Sequence, residues 1–185
     1  NYTFGGGIYL SNASTVRDCL MTGNESWEGG GIYVKDAFCL LENSTIQSNV
    51  AHDLGGGVCL TTGTVNNCEI RGNVASNYGG GVYFDGAGTV SNSWISDNRA
   101  VRYDGGGADM EQGGRLINSV VVGNGANRDG GGIFGWRGFV AHCTVSSNTA
   151  AEKGGGMHGS ESTVWNSILY YNSAPTNPNS SGSSI

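Results

Sequence analysis

The sequence predicts an all-β chain wound as a parallel β-solenoid of about seven coils, and three observations lead there. Gly-Gly-Gly occurs seven times, beginning at Gly5, Gly29, Gly55, Gly79, Gly105, Gly130 and Gly154, at a spacing of 24 to 26 residues. A second motif, ending on Asn24, Asn49, Asn73, Asn98, Asn124, Asn148 and Asn172, keeps its own register through all seven units. Between the two, apolar residues alternate with polar ones and many are β-branched, the period-two pattern of strands rather than helices. A unit this short has too little apolar mass to fold alone, so each must stack on its neighbours.

The second motif reads [VL]-x-[ND]-[CS]-x-[IVLM]-x-x-N. Its aliphatic positions are Val16, Leu41, Val65, Val90, Leu116, Val140 and Val164, then Met21, Ile46, Ile70, Ile95, Val121, Val145 and Leu169. Small residues stand five before the asparagine: Cys19, Ser44, Cys68, Ser93, Ser119, Cys143 and Ser167. They follow Asp18, Asn43, Asn67, Asn92, Asn118, His142 and Asn166, where His142 is the single departure. After each triplet a short alternating strand follows, as in Ile32-Tyr33-Val34, with Ile32 and Val34 inward and Tyr33 outward. Three short strands per coil are expected, with coils rising by roughly 4.8 Å.

Stacking places equivalent positions directly above one another. A repeated inward asparagine can pass amide hydrogen bonds from coil to coil, the role expected of the seven-membered column. The triplet glycines supply tight turning and close approach of the next coil. Length varies only after the glycine strand and between the asparagine and the next triplet, which marks those segments as turns. Cys19, Cys68 and Cys143 alternate with Ser in one column and lie two or more coils apart. That exceeds the ~7 Å limit between Cα atoms of a disulfide. Cys59 takes an outward tyrosine position and Cys39 a turn, so five free thiols are expected and the redox compartment stays open.

Composition narrows the function classes. Of 185 residues, 34 are Gly and 13% are charged, with a net charge of −6 and only two lysines, Lys35 and Lys153. That balance argues against nucleic acid and anionic membrane surfaces as partners. No apolar run approaches the ~18 residues of a membrane span. The chain opens in mid-repeat without a visible signal peptide, so it reads as a processed product or a piece of something longer. The solenoid is expected over residues 1–172. The stretch 173–185, rich in Ser, Pro and Asn, would begin a linker or drape over the last coil. Open strand edges at either end predict end-to-end self-association or flanking domains.

With both motifs placed, the chain resembles the right-handed parallel β-helix proteins of bacterial surfaces. The likeness is to the polymorphic outer-membrane protein repeats, which pair a Gly-Gly-[Ala/Gly]-[Ile/Val] element with a [Phe/Ile/Leu]-x-x-Asn element. The matching pairs are Ile46-Gln47-Ser48-Asn49 with Gly55-Gly56-Gly57-Val58, and Ile70-Arg71-Gly72-Asn73 with Gly79-Gly80-Gly81-Val82. Ile, Val, Leu or Met stands where the chlamydial members favour Phe. The resemblance runs from Gly5 to about Asn172. It implies a right-handed coil and an extracellular or cell-surface passenger, often adhesive, with no catalytic residues. Other glycine-rich repeats fit less well. The calcium-binding nonapeptide roll needs a nine-residue period and collagen needs Gly at every third residue. Ice-binding solenoids need Thr rows that this chain lacks.

Residues that bind or catalyse should be outward ones that interrupt the repeat. The outward column of the glycine strand reads Tyr9, Tyr33, Cys59, Tyr83, Asp109, Phe134 and His158. Tyr9, Tyr33, Tyr83 and Phe134 are the candidate ligand-binding residues, because rings at coil spacing can stack on sugars; the same rings can equally cover the sheet. Trp27, Phe38, Trp136, Tyr78 and Tyr103 add apolar area in turns. The alternative is a polysaccharide lyase or glycoside hydrolase working on the glycine-strand face. Asp85, Asp109 and Glu111 are then its catalytic carboxylates, and also a candidate Ca²⁺ site, since coil spacing places them within about 5–8 Å. No Arg or Lys stands convincingly beside them; Arg115 and Arg137 lie further on. The acids Glu28, Asp53, Asp104, Asp129 and Glu152 read as solubilising turn charges. An adhesive or display module remains the first reading.

Overall fold

A computed structural model describes residues 2–182. The described residues wind through four parallel sheets and contain no helix; each coil contributes one strand to each sheet in turn, except that the seventh meets the fourth sheet only through an isolated bridge at Ser173. Sheet I holds the strands after the glycine triplets, from Ile8–Leu10 to Met157–Ser160. Sheet II runs from Thr15–Arg17 to Thr163–Trp165 and sheet III from Leu20–Thr22 to Ile168–Tyr170. Sheet IV, from Glu25–Glu28 to Thr149–Ala150, joins each asparagine to the next triplet.

Four strands per coil replace the expected three. The segment after the asparagine varies in length and has no alternating pattern, which made it look like a turn. Its strands are as short as two residues, Val74–Ala75 for example, and each turns one small residue inward. Ser26, Ala51, Ala75, Ala100, Ala126 and Ala150 form that buried column. A single inward alanine leaves no periodicity to read.

Register is regular throughout. Ile70 pairs with Ile46 and Ile95, and Val65 with Leu41 and Val90, so inward residues stack column on column. The core consists of those columns, Ile32, Leu41, Ile46, Leu60, Phe84 and Met110 among them, fully closed to solvent. Corners between sheets II and III are made by Asp18, Asn43, Asn67, Asn92, Asn118, His142 and Asn166. All have φ between 47° and 56°. Asparagine tolerates this left-handed conformation better than most residues, which explains the Asn preference of that column.

The asparagine column is continuous and inward. Each side-chain amide donates to the Oδ1 of the next coil at 3.0 Å, from Asn24 to Asn49 through to Asn148 and Asn172. The same Oδ1 also accepts the backbone N–H of the previous asparagine, as from Asn73 to Asn98 at 2.9 Å. The second amide hydrogen goes back one coil, Asn98 donating to the Ile70 carbonyl at 2.9 Å. Every polar atom of a buried amide is thus satisfied.

Beyond Asn172 the chain runs on along the same path as far as it is described. Asn179 accepts from the Asn172 amide through its Oδ1 at 3.2 Å, and Ser180–Ser181 pairs with Met157 and His158 as the eighth strand of sheet I. The tail therefore opens a further coil up to Gly182 instead of draping across the last one.

Candidate functional site

Sheet I presents its outward column in the expected order: Tyr9 beside Tyr33, then Cys59, Tyr83, Asp109, Phe134 and His158 in unbroken register. Outward, however, does not mean exposed here. The residues just before each triplet fold against this face as a second layer. Leu54 and Tyr78 pack on a small cluster of Tyr33, Cys59 and Tyr83, and Phe4 meets the Tyr33 ring edge-on at 5.3 Å. Tyr33 and Tyr83 retain 9% and 5% of their exposure, so neither offers a ring face to a sugar. Burial also pushes the Tyr33 hydroxyl up to about 12, against a hydrogen-bonding contact with Thr61 at 3.1 Å. Phe134 is half-buried beside His158, with ring centres 5.7 Å apart. Of the four predicted ligand-binding residues only Tyr9 stands open, stacked on Tyr33 at 5.4 Å.

The three candidate catalytic carboxylates all lie near Tyr83 but differ in exposure. Asp85 is exposed and accepts from Tyr33 and Thr61 hydroxyls at 3.4 Å. Asp109 is fully buried, and Glu111 is half-buried. A carboxylate closed to solvent cannot reach a polymer in solution, so the expected trio of catalytic carboxylates is incomplete at Asp109. The Ca²⁺ grouping fails as well: among the described residues no three His, Cys, Asp or Glu side chains gather as a metal site.

Asp109 has a local role instead. Its Oδ1 accepts the Glu111 backbone N–H at 3.0 Å, while Oδ2 has no hydrogen-bond partner among the described residues. Burial, above all, holds its carboxyl well above the usual range, and the nearby Glu111 and Asp104 charges add to this. Asp104, before the triplet of the same coil and also closed to solvent, receives Arg128 through Nε at 2.8 Å and through Nη2. Arg128 lies over the Tyr103 ring at 5.0 Å, and Tyr103 stacks on Tyr78 at 5.0 Å. Asp104 is therefore a structural anchor of the second layer, not the solubilising turn charge it resembled.

A different feature interrupts the repeat in the open. At the corner between sheets II and III, a concave groove runs over coils three to five, lined by Asn67, Glu69, Asn92, Trp94, Asn118 and Val120. Cys68 and Ser93 form its floor. The floor is small because each residue clamps the corner: Ser93 Oγ donates to the Ser91 carbonyl at 2.7 Å and accepts the Cys68 N–H at 3.1 Å. Cys68 makes the weaker version, Sγ to the Asn66 carbonyl at 3.3 Å. The same corner opens again further along at His142, Thr144, Trp165 and Ile168. Trp94 and Trp165 are 50% and 60% exposed. Neither indole lies on the glycine strand, where the outward candidates stood. The signal for Trp94 was present in the position after each Cys or Ser, where Leu20, Trp94, Val120 and Ile168 stand among polar residues; that for Trp165 lay in the position before the corner asparagine, shared with Arg17, Glu42, Asn66 and Ser91.

These columns, corners and ladders define a β-helix repeat protein. A family model described as the right-handed β-helix region matches residues 1–150, and the chain belongs to that family. No curated protein matches the chain, and no solved structure does.

Proposed function

We propose that the chain is a binding and display module of a secreted or cell-surface protein, adhesive towards glycans, and akin to the bacterial outer-membrane passengers whose repeats it resembles. One observation carries this reading. The rod satisfies its inward polar ladder completely, yet leaves Tyr9, Leu20, Trp94, Trp165, Ile168 and Tyr171 standing in solvent. Exposed aromatic and aliphatic groups on a rigid scaffold favour an interaction surface. The β-helix fold also serves polysaccharide-degrading enzymes. The dispersal of Asp85, Asp109 and Glu111 between solvent and core favours the module over that alternative.

The edge strands of the four sheets belong to the same proposal. Ile8–Leu10, Thr15–Arg17, Leu20–Thr22 and Glu25–Glu28 bound their sheets at one end of the described stack. A further coil, from a flanking segment or a second copy, would continue their ladders. The test of function is incubation of the purified protein with a panel of neutral and acidic polysaccharides, scoring retention and product together. Retention without new reducing ends or unsaturated products is expected. Turnover of any member of the panel would overturn the reading.

A further inference from the structure

We propose that the corner groove between sheets II and III is the binding site for a neutral, extended polysaccharide lying along the solenoid axis. The assignment rests on the glycan-binding reading above and gives it a place that the glycine strand does not provide.

Five features of the corner converge on this ligand. The floor of Cys and Ser residues has its polar atoms tied into backbone hydrogen bonds, so it is small, uncharged and open. Along one wall runs a chain of oriented amides: Asn92 Nδ2 donates to Asn66 at 2.7 Å, and Asn118 Nδ2 to Asn92 at 2.6 Å. Each amide keeps further donor and acceptor capacity for hydroxyl groups, as an amide can make several hydrogen bonds. One indole flanks each opening of the corner, Trp94 on the sheet III side of the first and Trp165 on the sheet II side of the second, where His142 supports Trp165 edge-on at 5.1 Å. An indole face is a platform for the apolar face of a pyranose ring.

Spacing selects an extended chain. Trp94 and Trp165 belong to coils three steps apart, so their levels differ by about 14 Å at a rise of about 4.8 Å per coil. The rise per coil is close to the advance per sugar of a β-linked glycan, so one sugar can meet one rung of the amide wall. Charge selects a neutral one. Glu69 is paired with Arg71 at 3.1 Å, and neither pocket stretch is lined by a lysine or arginine that could recognise a uronic acid. An extended peptide fits less well, because strand addition needs a free sheet edge and these edges face along the axis, not into the groove.

The experiment uses tryptophan fluorescence and calorimetric titration of the whole chain with β-1,4-linked hexamers of glucose and of N-acetylglucosamine. Saturable quenching is expected with at least one of them. Trp94→Ala and Trp165→Ala should each weaken binding about 3- to 10-fold, the worth of one aromatic stacking contact. Trp136→Ala, equally exposed but outside the groove, should leave it unchanged. All three positions are on the surface, so the variants should keep the parent circular dichroism spectrum. If a hexamer binds and the Trp94, Trp165 double variant binds it equally well, the groove is wrong while the glycan-binding reading stands. Binding restricted to acidic glycans would also overturn the groove assignment. Failure to bind any neutral or acidic glycan would overturn both.

Discussion

The side-chain amide of Asn98 lies 2.9 Å from where a β-carbon on Gly81 would stand. The same relation links Gly31 with Asn49, Gly57 with Asn73, Gly132 with Asn148 and, most tightly, Gly156 with Asn172. The two repeat motifs are therefore two sides of one contact across the interior. An inward asparagine can be carried in every coil only because the opposing strand entry lacks a side chain. The third glycine has a second constraint, since its β-carbon would also meet the carbonyl of the next triplet, 2.5 Å away at Gly81.

Gly81→Ala should accordingly be among the most damaging single changes in the chain, because backbone of the next coil cannot move aside without breaking the stack. Gly72 gives the contrast. It has φ +59° but nothing within 4 Å of a β-carbon, and Ser48, Asp97 and Tyr171 hold the equivalent corner in other coils. Gly72→Asn should cost no more than about 1 kcal/mol, whereas Gly81→Ala should cost several times that. Denaturant midpoints of the two variants test the difference. Equal midpoints would show that close coil approach is not what fixes the triplet.

The asparagine ladder makes a related prediction at Asn98. Replacing it by Leu strands the Asn73 donors and the Ile70 carbonyl inside the core, and leaves Asn124 Oδ1 with only the backbone N–H of residue 98. An orphaned buried partner costs about 1–3 kcal/mol, so a loss of about 3–5 kcal/mol is expected from the set. Because each coil contacts only its neighbours, the array should also unfold less cooperatively around coil four. A melting curve identical to the parent's would refute the ladder's energetic role.

What repeats was legible in the sequence. The Asn column, the Cys/Ser column and the aliphatic columns recur at one spacing, and stacking converts spacing into register directly. Alternation also placed Tyr33 and Tyr83 correctly on the outer face of sheet I. It could not say what covers that face, because Leu54, Tyr78 and Tyr103 come from segments of unequal length with no shared pattern. The burial of Asp109, and with it the failure of the carboxylate cluster, follows from that hidden layer. The fourth sheet was illegible for the opposite reason, having only one inward small residue, Ser26 or an alanine, per strand to betray it.

The second layer also changes what a tyrosine substitution should do. Tyr83 is buried against Tyr78 and Leu54, so Tyr83→Ala should act on stability, at about 3–5 kcal/mol as for other large core truncations. Its effect on glycan retention should vanish once measurements are made well below the lowered melting temperature. Weakened binding by a fully folded Tyr83→Ala protein would return the ligand to the glycine strand.

Thiol chemistry tests burial along the array. Cys19 is exposed, whereas Cys39, Cys59, Cys68 and Cys143 are buried. Burial raises the Cys59 and Cys143 thiols and pushes Cys68 up to about 11, which withholds the reactive thiolate near neutral pH. A disulfide-exchange reagent should therefore modify one thiol per native chain, and all five only after unfolding. Cys68→Ser should be close to neutral in stability, because Ser44 and Ser93 fill the adjacent rungs of the same column with a better hydrogen-bond donor. Rapid labelling of more than one native thiol would contradict the buried positions.

Asp109 gives the array a pH dependence of defined sign. An ordinary aspartate ionises near 3.8, and burial raises Asp109 well above that in the folded chain. Between the two values the native state holds a proton that the unfolded chain has released. Stability from this group is thus complete below pH 3.8 and declines as pH rises towards the folded value. Asp109→Asn keeps an oxygen for the Glu111 N–H and cannot ionise, so it should be more stable than the parent at pH 7. The gain should be a few degrees in melting temperature, where 1 kcal/mol corresponds to about 2–4 °C for a chain of this size. It should shrink steadily as both proteins are melted at lower pH and disappear near pH 4. The other carboxylates titrate in both proteins and cancel in the difference. A parent that is more stable than Asp109→Asn at pH 7, or a gap that does not close on acidification, would mean that the buried carboxyl is charged and paired in the native state.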